Sequence, residues 1–514
     1  MATEQLEVER KFDVDPTFVL PDLAGVGGAA EVDDPVEHHL EAVYHDTPDL
    51  RLARARVTLR RRTGGSDAGW HLKLPAADGA RRELHEPLGP ATKLPPLAVA
   101  VPVLGILRGA DAAPVATLQT RRLVTVLRDA GGRPLAEVAD DTVTATVRAP
   151  GPAAAAEVLT WREVEVELGD GDEALLAAVE ERLVAAGARP SPSASKLARA
   201  LGDRLAAASD GSGAGPGTRQ QRRSTAGEVV LAAVRAQVGA LQDADVMVRT
   251  DQSDAVHKLR VACRRLRSIF AAYRHVLDRA ATEPLRTELR WLGAELSDAR
   301  DDEVALSHLR KLVASEPPEL VLGPVAARLQ QTALGAAAAG HERALGTLAD
   351  PRYLRLLDAL YALLDDPPFA ERAGRRARNE LRRAVRRSVR RLRKRMRAAR
   401  QATDGDRFRA LHEVRKAAKR VRYAAEVATE VEGRQAKDMV DTMEQVQDLL
   451  GEAQDTAVTR EHCRRLGLAA DGVGENAWTY GRLHALEQRR AELAEQEFWR
   501  GRRRLRRAVK AATS

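Results

Sequence analysis

The first strand-like segment of the chain gives one whole side to charge. Residues 6–12, LEVERKF, place Glu7, Glu9 and Lys11 at alternate positions, and apolar residues occupy three of the four other positions. Successive side chains of a β-strand point to opposite faces, so these three charges would project the same way. Few folds accommodate such a strand, because like charges on one sheet face repel each other unless opposite charges lie among them.

The same charged strand face recurs further along the chain. Five further strand-like segments carry it: LRRR with Arg60 and Arg62, HLK with His71 and Lys73, RRE with Arg81 and Glu83, EVADD with Glu137 and Asp141, and EVEVE with Glu163, Glu165 and Glu167. A solvated sheet face would explain the charged residues of any single strand. It explains less readily a whole set of strands that all have apolar residues on the opposite face. We therefore predict an eight-stranded antiparallel β-barrel with the charges inside, since such a barrel encloses room for side chains or one small ligand.

A lumen of this kind would contain both a carboxylate cluster and an Arg/Lys cluster. Carboxylate oxygens are hard ligands that suit Mg²⁺ or Mn²⁺, and Arg and Lys complement phosphate oxygens. Uncompensated charges would destabilise the barrel, because desolvating each ion costs several kcal/mol. The pattern therefore predicts a site for a metal-bound polyphosphate.

The chain divides into two halves of opposite net charge. Residues 1–218 contain 24 Lys+Arg and 33 Asp+Glu, whereas residues 219–514 contain 58 and 41, so the net charges are −9 and +17. A Gly/Ser/Pro-rich stretch lies at the change and is typical of a linker. We predict an α+β domain at 1–205, a flexible linker at 206–225 and an all-α helical bundle at 226–510.

The helical half contains an internal repeat. Two elements recur in the same order, the first at an offset of 155 residues and the second at 154. They are VHKLRVACRRLRSIFAAY (256–273) with LHEVRKAAKRVRYAAEVA (411–428), and LSDARDDEVA (296–305) with LGEAQDTAVT (450–459). The spacing predicts a duplicated helical unit with two-fold symmetry, in repeats at about 226–365 and 375–510.

The first repeated element carries a basic helix face in both copies. Its cations and histidine recur at i, i+3, i+7 and i+10, which lie on one side of a helix: His257, Arg260, Arg264 and Arg267, and then His412, Arg415, Lys419 and Arg422. A solvated face is the ordinary explanation for one Arg-rich helix. Repetition of the whole face favours phosphate contact.

The N-terminal half resembles a known family. EVERK is similar to the ExExK signature of CYTH domains, the triphosphate tunnel metalloenzymes, and the resemblance continues in order over nearly all of residues 1–205. It runs through YHDTPDLRLARARVTLRRRTG, WHLKLP, TRR, EVADD, EVEVEL and SASKLARAL. The resemblance implies a tunnel that hydrolyses a terminal phosphoanhydride with a divalent metal ion.

The resemblance also implies roles for particular residues. The metal ligands would be Glu7, Glu9, Asp141, Glu163, Glu165 and Glu167, with Glu165 and either Glu163 or Glu167 forming a second acidic wall. The substrate-binding residues would be Lys11, Arg60, Arg62, Lys73, Arg122 and Lys196. The catalytic set would be Glu7, Glu9, Lys11, Glu83 and Glu165. Arg122 is preferred to its neighbour Arg121, and Asp141 to Asp140 because Asp141 shares strand parity with Glu137.

The helical half, roughly 226–510, resembles the CHAD domain, which is often fused behind CYTH domains. This resemblance implies a two-fold helical fold that binds inorganic polyphosphate through a basic surface. The expected polyphosphate-binding residues are the two repeated sets, His257, Arg260, Arg264 and Arg267 with His412, Arg415, Lys419 and Arg422.

These observations predict an enzyme, a metal-dependent triphosphatase that uses Mg²⁺ or Mn²⁺ and binds inorganic triphosphate or polyphosphate. Nucleoside and thiamine triphosphates stay open as substrates. One alternative is a polyphosphate-binding protein with a silent tunnel. Another is a nucleic-acid protein using the basic helix at 375–400, which ranks last because aromatic content is 3% and no reader motif is present.

The sequence also predicts the compartment. No apolar stretch is long enough to cross a membrane, the N-terminus is acidic where a signal peptide is basic, and the chain has 2 cysteines. We expect a cytoplasmic protein without membrane association that could associate with polyphosphate granules. The oligomeric state is left open.

Overall fold

The structure is a computed structural model that describes residues 3–76, 80–89, 94–148, 155–209 and 224–511. The chain forms two compact units, Met1–Ala214 and Gly215–Ser514. None of the described helices is both long and apolar enough to cross a membrane.

The described part of the N-terminal unit has one antiparallel sheet. Its strands are β1 (Thr3–Glu7), β2 (Glu9–Asp13), β3 (Glu31–Val32), β4 (Val36–Asp46), β5 (Thr58–Thr63), β6 (Gly69–Pro75), β7 (Arg81–Pro87), β8 (Ala113–Arg128), β9 (Pro134–Val147), β10 (Glu157–Leu168) and β11 (Arg189–Pro190). The strand order is β1-β7-β6-β5-β4-β8-β9-β10-β2-β11, with β3 paired to β8.

The hydrogen-bonded order is open, and in this respect it differs from the predicted closed eight-stranded barrel. β1 pairs with β7 at one end of the sheet, and β2 pairs with β10 near the other. These two strands are consecutive in sequence, so the chain itself joins both ends through Val8, whose carbonyl accepts a hydrogen bond from Leu168 N at 3.0 Å. Eight strands remain if the two-residue β3 and β11 are left out and β1–β2 is counted as one interrupted strand.

The apolar strand faces pack against helices on the outside of the sheet. The helices of this unit are α1 (Arg51–Arg54), α2 (Leu97–Ala100), α3 (Leu104–Leu107), α4 (Glu173–Ala185) and α5 (Lys196–Ser209). Val164 and Val166 of β10 are 0% and 1% exposed and belong to one core with Leu175 and Val179 of α4. Burial of these valines leaves the alternate glutamates on the opposite face.

The predicted linker begins later than expected. Helix α5 runs to Ser209, so the first residues of the predicted 206–225 linker are helical, because ALGDRLAAAS is rich in strong helix formers. At the other end, Thr225 already caps the next helix through a capping box with Glu228. Residues 210–223, which hold most of the predicted linker, lie outside the described residues.

The described part of the C-terminal unit is helical. Its helices are α6 (Ala226–Arg249), α7 (Ala255–Ala272), α8 (Arg279–Glu295), α9 (Ser297–Ser315), α10 (Val325–Ala349), α11 (Pro351–Asp365), α12 (Ala377–Gln401), α13 (Asp404–Glu432), α14 (Arg434–Gly472) and α15 (Trp478–Ala511). One apolar core, which includes Leu259, Leu266, Val414 and Val421, joins helices of both predicted repeats.

Equivalent helices of the two repeats contact each other. The repeated basic elements lie on α7 and α13, which pack together, as do α6 with α12 and α9 with α14. In the second repeat the single helix α14 takes the place of two helices of the first repeat, α8 and α9. Those two helices are separated only at Leu296. Contacts between like helices are what two copies related by an approximate two-fold axis would produce.

Candidate phosphate and metal sites

The charged strand faces of the N-terminal unit line one cavity of about 350 Å³. Most of the residues predicted from the sequence lie around it: Glu7, Glu9, Lys11, Arg60, Arg62, Lys73, Glu83, Arg122, Glu165, Glu167 and Lys196. Asp141 and Glu163 are not among the lining residues and are 0% and 3% exposed. The sheet therefore brings acidic and basic side chains from distant segments into one space.

Strand register explains why these residues meet. Lys11 on β2 lies opposite Glu165 on β10, and Glu9 lies opposite Glu167. Arg122 on β8 lies opposite Asp141 on β9. Cross-strand neighbours of opposite charge stabilise the pairing, and like charges destabilise it.

Glu165 is held by three cations. It accepts hydrogen bonds from Lys11 and from Arg122, the latter at 2.8 Å, and Lys196 Nζ lies 2.6 Å away. Burial raises the pKa of this carboxyl, but the three positive charges outweigh burial and hold its pKa well below the usual range. Glu165 is therefore ionised and fixed in place at neutral pH.

Lys196 lies among three carboxylates. Its ammonium is 2.9 Å from Asp141, 2.7 Å from Glu163 and 2.6 Å from Glu165. Among the described residues, these three acids are also a group whose ligand atoms all lie within 4.8 Å of one another. The structure thus places Asp141 and Glu163 below the cavity wall, where they hold a basic residue. Their role as metal ligands stays a prediction.

A second acidic pair lies on the other side of the cavity. Glu7 pairs with Lys73, whose ammonium is also 3.6 Å from Glu83. Nδ1 of the buried His71 is 2.6 Å from Glu83. Burial and the neighbouring Glu83 raise the pKa of Glu7 to about 8. The pKa of Glu83 shifts the other way. Burial acts to raise it, but His71, Glu7 and the nearby basic residues outweigh burial and lower it.

Three glutamates form an acidic row across neighbouring strands. Glu167 lies between Glu9 on β2 and Glu137 on β9. Burial raises the pKa of Glu167, and repulsion from Glu9 and Glu137 adds to the shift. In the described chain, neither Glu137 nor Glu167 has a basic group within ion-pair distance. Such oxygen donors fit a hard divalent cation.

Three arginines of the cavity, Arg60, Arg62 and Arg122, differ in their pKa values. Burial acts to lower all three, but nearby acidic groups outweigh it for Arg60 and Arg122 and raise their pKa values. Burial lowers the pKa of Arg62 to about 9, and the charges of Arg60 and Arg122 lower it further. Sequence reasoning missed two neighbours of this group. Arg62 pairs with Asp67, which lies in a turn without any periodic signal, and Arg60 donates to Tyr44 Oη at 3.4 Å. Tyr44 could have been found by parity, since it lies opposite Arg60 in the sheet.

The two residues that the sequence interpretation set aside lie outside the cavity. Arg121 is exposed and binds Glu37 at 2.6 Å, while its neighbour Arg122 lines the cavity. Asp140 binds Arg162 at 2.6 Å on the other face of the sheet.

In the C-terminal unit, the two repeated basic faces converge on one cavity of about 510 Å³, here called the histidine cavity. Six predicted residues line it: His257, Arg260 and Arg264 from α7, and His412, Arg415 and Lys419 from α13. Arg267 and Arg422 do not line it. Arg422 instead lies 3.3 Å from Glu426 and 3.1 Å from Glu444.

The histidine cavity also contains residues that sequence reasoning missed. His308 and Arg490 line it, and His308 Nε2 is 2.8 Å from the buried Glu487. A repeat signal was available for the histidine, because His462 follows His308 at the same offset of 154 residues. Glu487 lies on α15, outside the two matched segments, and carried no signal.

Lys419 is the most perturbed cation of this cavity. Burial lowers its pKa to about 7, and the charges of Arg415, Arg264 and Arg422 act in the same direction. His412 is held by Gln454, whose Oε1 is 2.6 Å from Nδ1 and also accepts from Arg415 at 3.0 Å. The cavity is a concentrated positive site that an anion would relieve.

Comparison with known proteins identifies both units. The CYTH domain model matches residues 5–201 and the CHAD domain model matches residues 232–464. Two uncharacterized proteins of Mycobacterium tuberculosis, from strains CDC 1551 / Oshkosh and H37Rv, are each 38% identical over 516 residues, covering 99% of this chain and 98% of the relative. The chain therefore belongs to the family that fuses an N-terminal CYTH domain to a C-terminal CHAD domain.

Solved structures give more distant matches. PptA from Streptomyces chartreusis is 19% identical, with a TM-score of 0.44, over 54% of this chain and 100% of that one. The CHAD domain of the plant Ricinus communis is 22% identical, with a TM-score of 0.42, over 56% of this chain and 93% of that one.

Proposed function

We propose that the N-terminal unit hydrolyses the terminal phosphoanhydride of inorganic triphosphate, or of a related triphosphate, in a divalent-metal-dependent reaction. The eight principal strands would surround the substrate as a tunnel. One observation supports this most strongly: Glu9, Arg62 and Glu165 come from different strands, yet all face one cavity of about 350 Å³. A cavity that contains both metal-type and phosphate-type ligands suits a metal polyphosphate.

The acidic row fits a divalent cation. Glu9, Glu137 and Glu167, together with Glu7, would hold Mg²⁺ or Mn²⁺, because they are oxygen donors. Burial and neighbouring carboxylates raise the pKa values of Glu7 and Glu167, whereas Glu9 pairs with Lys11 at 2.7 Å. When bound, such a cation would neutralise charge on the phosphoryl oxygens and polarise the bond that breaks.

The basic residues would bind and orient the phosphate chain. Lys11, Arg60, Arg62, Lys73 and Arg122 line the cavity and present donors to phosphate oxygens. Rigid placement matters because most catalysis of phosphoryl transfer comes from positioning and charge stabilisation. Asp141, Glu163 and Glu165 would fix Lys196 and Arg122 in position. Glu83, held ionised by its neighbours, would accept a hydrogen bond from the attacking water.

The C-terminal unit would bind inorganic polyphosphate in the histidine cavity. Three residues from each of two related helices contribute to it, as a duplicated unit with an approximate two-fold axis would produce. Binding would be largely Coulombic and would weaken with salt.

A second candidate function is a polyphosphate-binding protein whose tunnel is silent. The occupation of one acidic group by Lys196 favours it, because that group is not open to a metal ion. The acidic row and the basic residues together favour the enzyme, since a silent tunnel has no need of both.

The test is phosphate release from tripolyphosphate, ATP and long-chain polyphosphate with Mg²⁺ or Mn²⁺. The variant Glu7→Gln/Glu9→Gln should lose more than about 100-fold in rate, since even the outer partners of metal ligands typically contribute 10–100-fold. Glu31→Gln/Glu157→Gln is the matched control, because both residues are exposed strand carboxylates outside the cavity. Release from none of the substrates by the unaltered protein would favour the silent tunnel.

A further inference from the structure

The C-terminal unit has a second basic cavity of about 280 Å³, here called the arginine cavity. Six arginines line it: Arg274, Arg279, Arg286, Arg387, Arg391 and Arg420. Glu283 is the sole carboxylate among the described residues that line it. It lies 2.5 Å from Arg286 and 3.7 Å from Arg279, so one negative charge faces six positive charges.

These arginines come from four separate segments. Arg274 follows α7, Arg279 and Arg286 lie on α8, and α12 and α13 supply the others. Burial and the neighbouring arginines lower the pKa values of Arg387 and Arg420. Tertiary packing therefore gathers cations at one place without enough anions, and an exogenous anion would relieve their repulsion.

The arginine cavity and the histidine cavity share helix α7. His257, Arg260 and Arg264 line the histidine cavity, whereas Ser268 and Ala271, one and two turns further along the same helix face, line the arginine cavity. From His257 to Ala271 the axis of α7 rises roughly 21 Å, at about 1.5 Å per residue.

Arg267 lies on α7 between the residues that line the two cavities, and it is half-buried. Burial lowers its pKa, and among the charges that add to the shift are Arg286 of the arginine cavity and Arg264 of the histidine cavity. Arg267 therefore lies within electrostatic range of an arginine from each cavity.

The arginine cavity is not repeated in the other half. α8 begins at Arg279 and its counterpart α14 begins at Arg434. Aligned from these starts, Asp441 corresponds to Arg286 and Asp438 to Glu283, so the second half has a carboxylate where the first has an arginine. In the related region, the equivalent of Arg420 is Arg265, which already pairs with Glu426 at 3.4 Å. The two-fold relation thus predicts one arginine cavity per chain.

We propose that the arginine cavity is a second phosphate-binding site, and that one long polyphosphate chain occupies both cavities at once. This inference rests on the proposed binding of polyphosphate by the histidine cavity. A nucleic acid is disfavoured as the ligand, because the one aromatic side chain among the described lining residues, Phe270, is 1% exposed and offers no ring for base stacking. Linked binding to two sites raises the affinity for a spanning ligand without any new contact.

The test measures binding of labelled long-chain polyphosphate to the full chain in EDTA, so that metal-dependent hydrolysis does not interfere. Arg387→Ala/Arg391→Ala should weaken binding by about tenfold or more, because a spanning chain loses its second site. Binding of tripolyphosphate, which is too short to span the cavities, should lose one site per chain by calorimetry while the remaining sites keep their affinity. Arg279→Ala/Arg286→Ala on α8 should have the same effects.

The matched control is Arg393→Ala/Arg397→Ala. Both residues are exposed on the same helix α12 and line neither cavity, so the charge change and helix propensity are equal. Equal affinity of the Arg387/Arg391 variant and this control for long chains would exclude the second site.

His412→Ala/Arg415→Ala separates the two proposals. If this variant weakens binding while the arginine-cavity variants match the control, the histidine cavity binds polyphosphate and the second site is excluded. No binding by the unaltered protein would overturn both.

Discussion

At the scale of single residues, Lys419 should make polyphosphate binding depend on pH. Its pKa of about 7 reflects burial and three neighbouring arginines, against which Asp455 acts only weakly. Above pH 7 the free protein therefore loses this charge, and a bound phosphate would restore it. Binding then takes up a proton, so affinity falls as pH rises above about 7. His412, whose pKa burial lowers, is already neutral in this range.

We expect affinity for long-chain polyphosphate to fall by up to about tenfold per pH unit between pH 7 and 8.5, the limit for uptake of one proton. Lys419→Arg should remove this dependence, because the arginine stays charged. Calorimetry in buffers of different ionisation enthalpy measures the proton uptake directly. The same pH slope in both proteins would show that Lys419 is not the titrating group.

Residue positions could be predicted from the sequence better than residue partners. Strand parity alone separated Asp141 from Asp140, because alternation fixes the side of a sheet. Parity says nothing of Lys196, which reaches Asp141 and Glu163 from a helix that follows the whole sheet. Asp67 likewise lies in a turn where no periodicity exists. Contacts of this kind depend on tertiary packing.

At the scale of elements, Asp46 at the end of β4 should stabilise the turn that leads to β5, the strand that carries Arg60 and Arg62. Its carboxylate is 0% exposed and accepts hydrogen bonds from the backbone N–H groups of Thr47, Leu52 and Ala53 at 2.7–2.9 Å. Asp46→Ala would leave these buried donors unsatisfied, so the free energy of unfolding should fall by about 1–3 kcal/mol.

Hydrogen exchange of the β4 and β5 amides measures the effect of Asp46→Ala within the N-terminal unit. Asp49→Ala is the control from the same turn, since that exposed carboxylate forms a surface pair with Arg51 that contributes at most about 1 kcal/mol. Equal exchange rates in the two variants would refute the stabilising role of Asp46.

The sequence predicted the type of each element more reliably than its limits. EVEVEL fixed β10 as a strand with one charged face, and the repeated basic segments fixed α7 and α13. The interruption at Val8 left no signal, because LEVERKF alternates without a break although β1 and β2 pair with different neighbours. Likewise α14 is continuous where α8 and α9 are separate, although the ten-residue segments at that point, 296–305 and 450–459, match.

At the scale of the whole molecule, charge is segregated by unit, and the proposed functions match this segregation. The half that forms the sheet is acidic overall and surrounds its few cations with carboxylates. The helical half, at +17 over residues 219–514, gathers more cations than carboxylates around each of its two cavities. A metal-assisted site requires the first arrangement and an anion-binding surface requires the second.

The helical unit should prefer inorganic polyphosphate to duplex DNA. Its net charge attracts both polyanions at low salt, but cavities of about 510 and 280 Å³ admit a single phosphate chain and exclude a duplex.

Between about 50 and 200 mM salt, the affinities for polyphosphate and for duplex DNA should both fall linearly on logarithmic axes, as counterion release requires. Filter binding of labelled polyphosphate and duplex DNA over this range measures both slopes. Polyphosphate should bind at least about tenfold more tightly at the highest salt, a difference of about 1.4 kcal/mol, because its phosphates reach the buried cations. Tighter binding of DNA throughout would place the anion site on the exposed face of α12 instead of in the cavities.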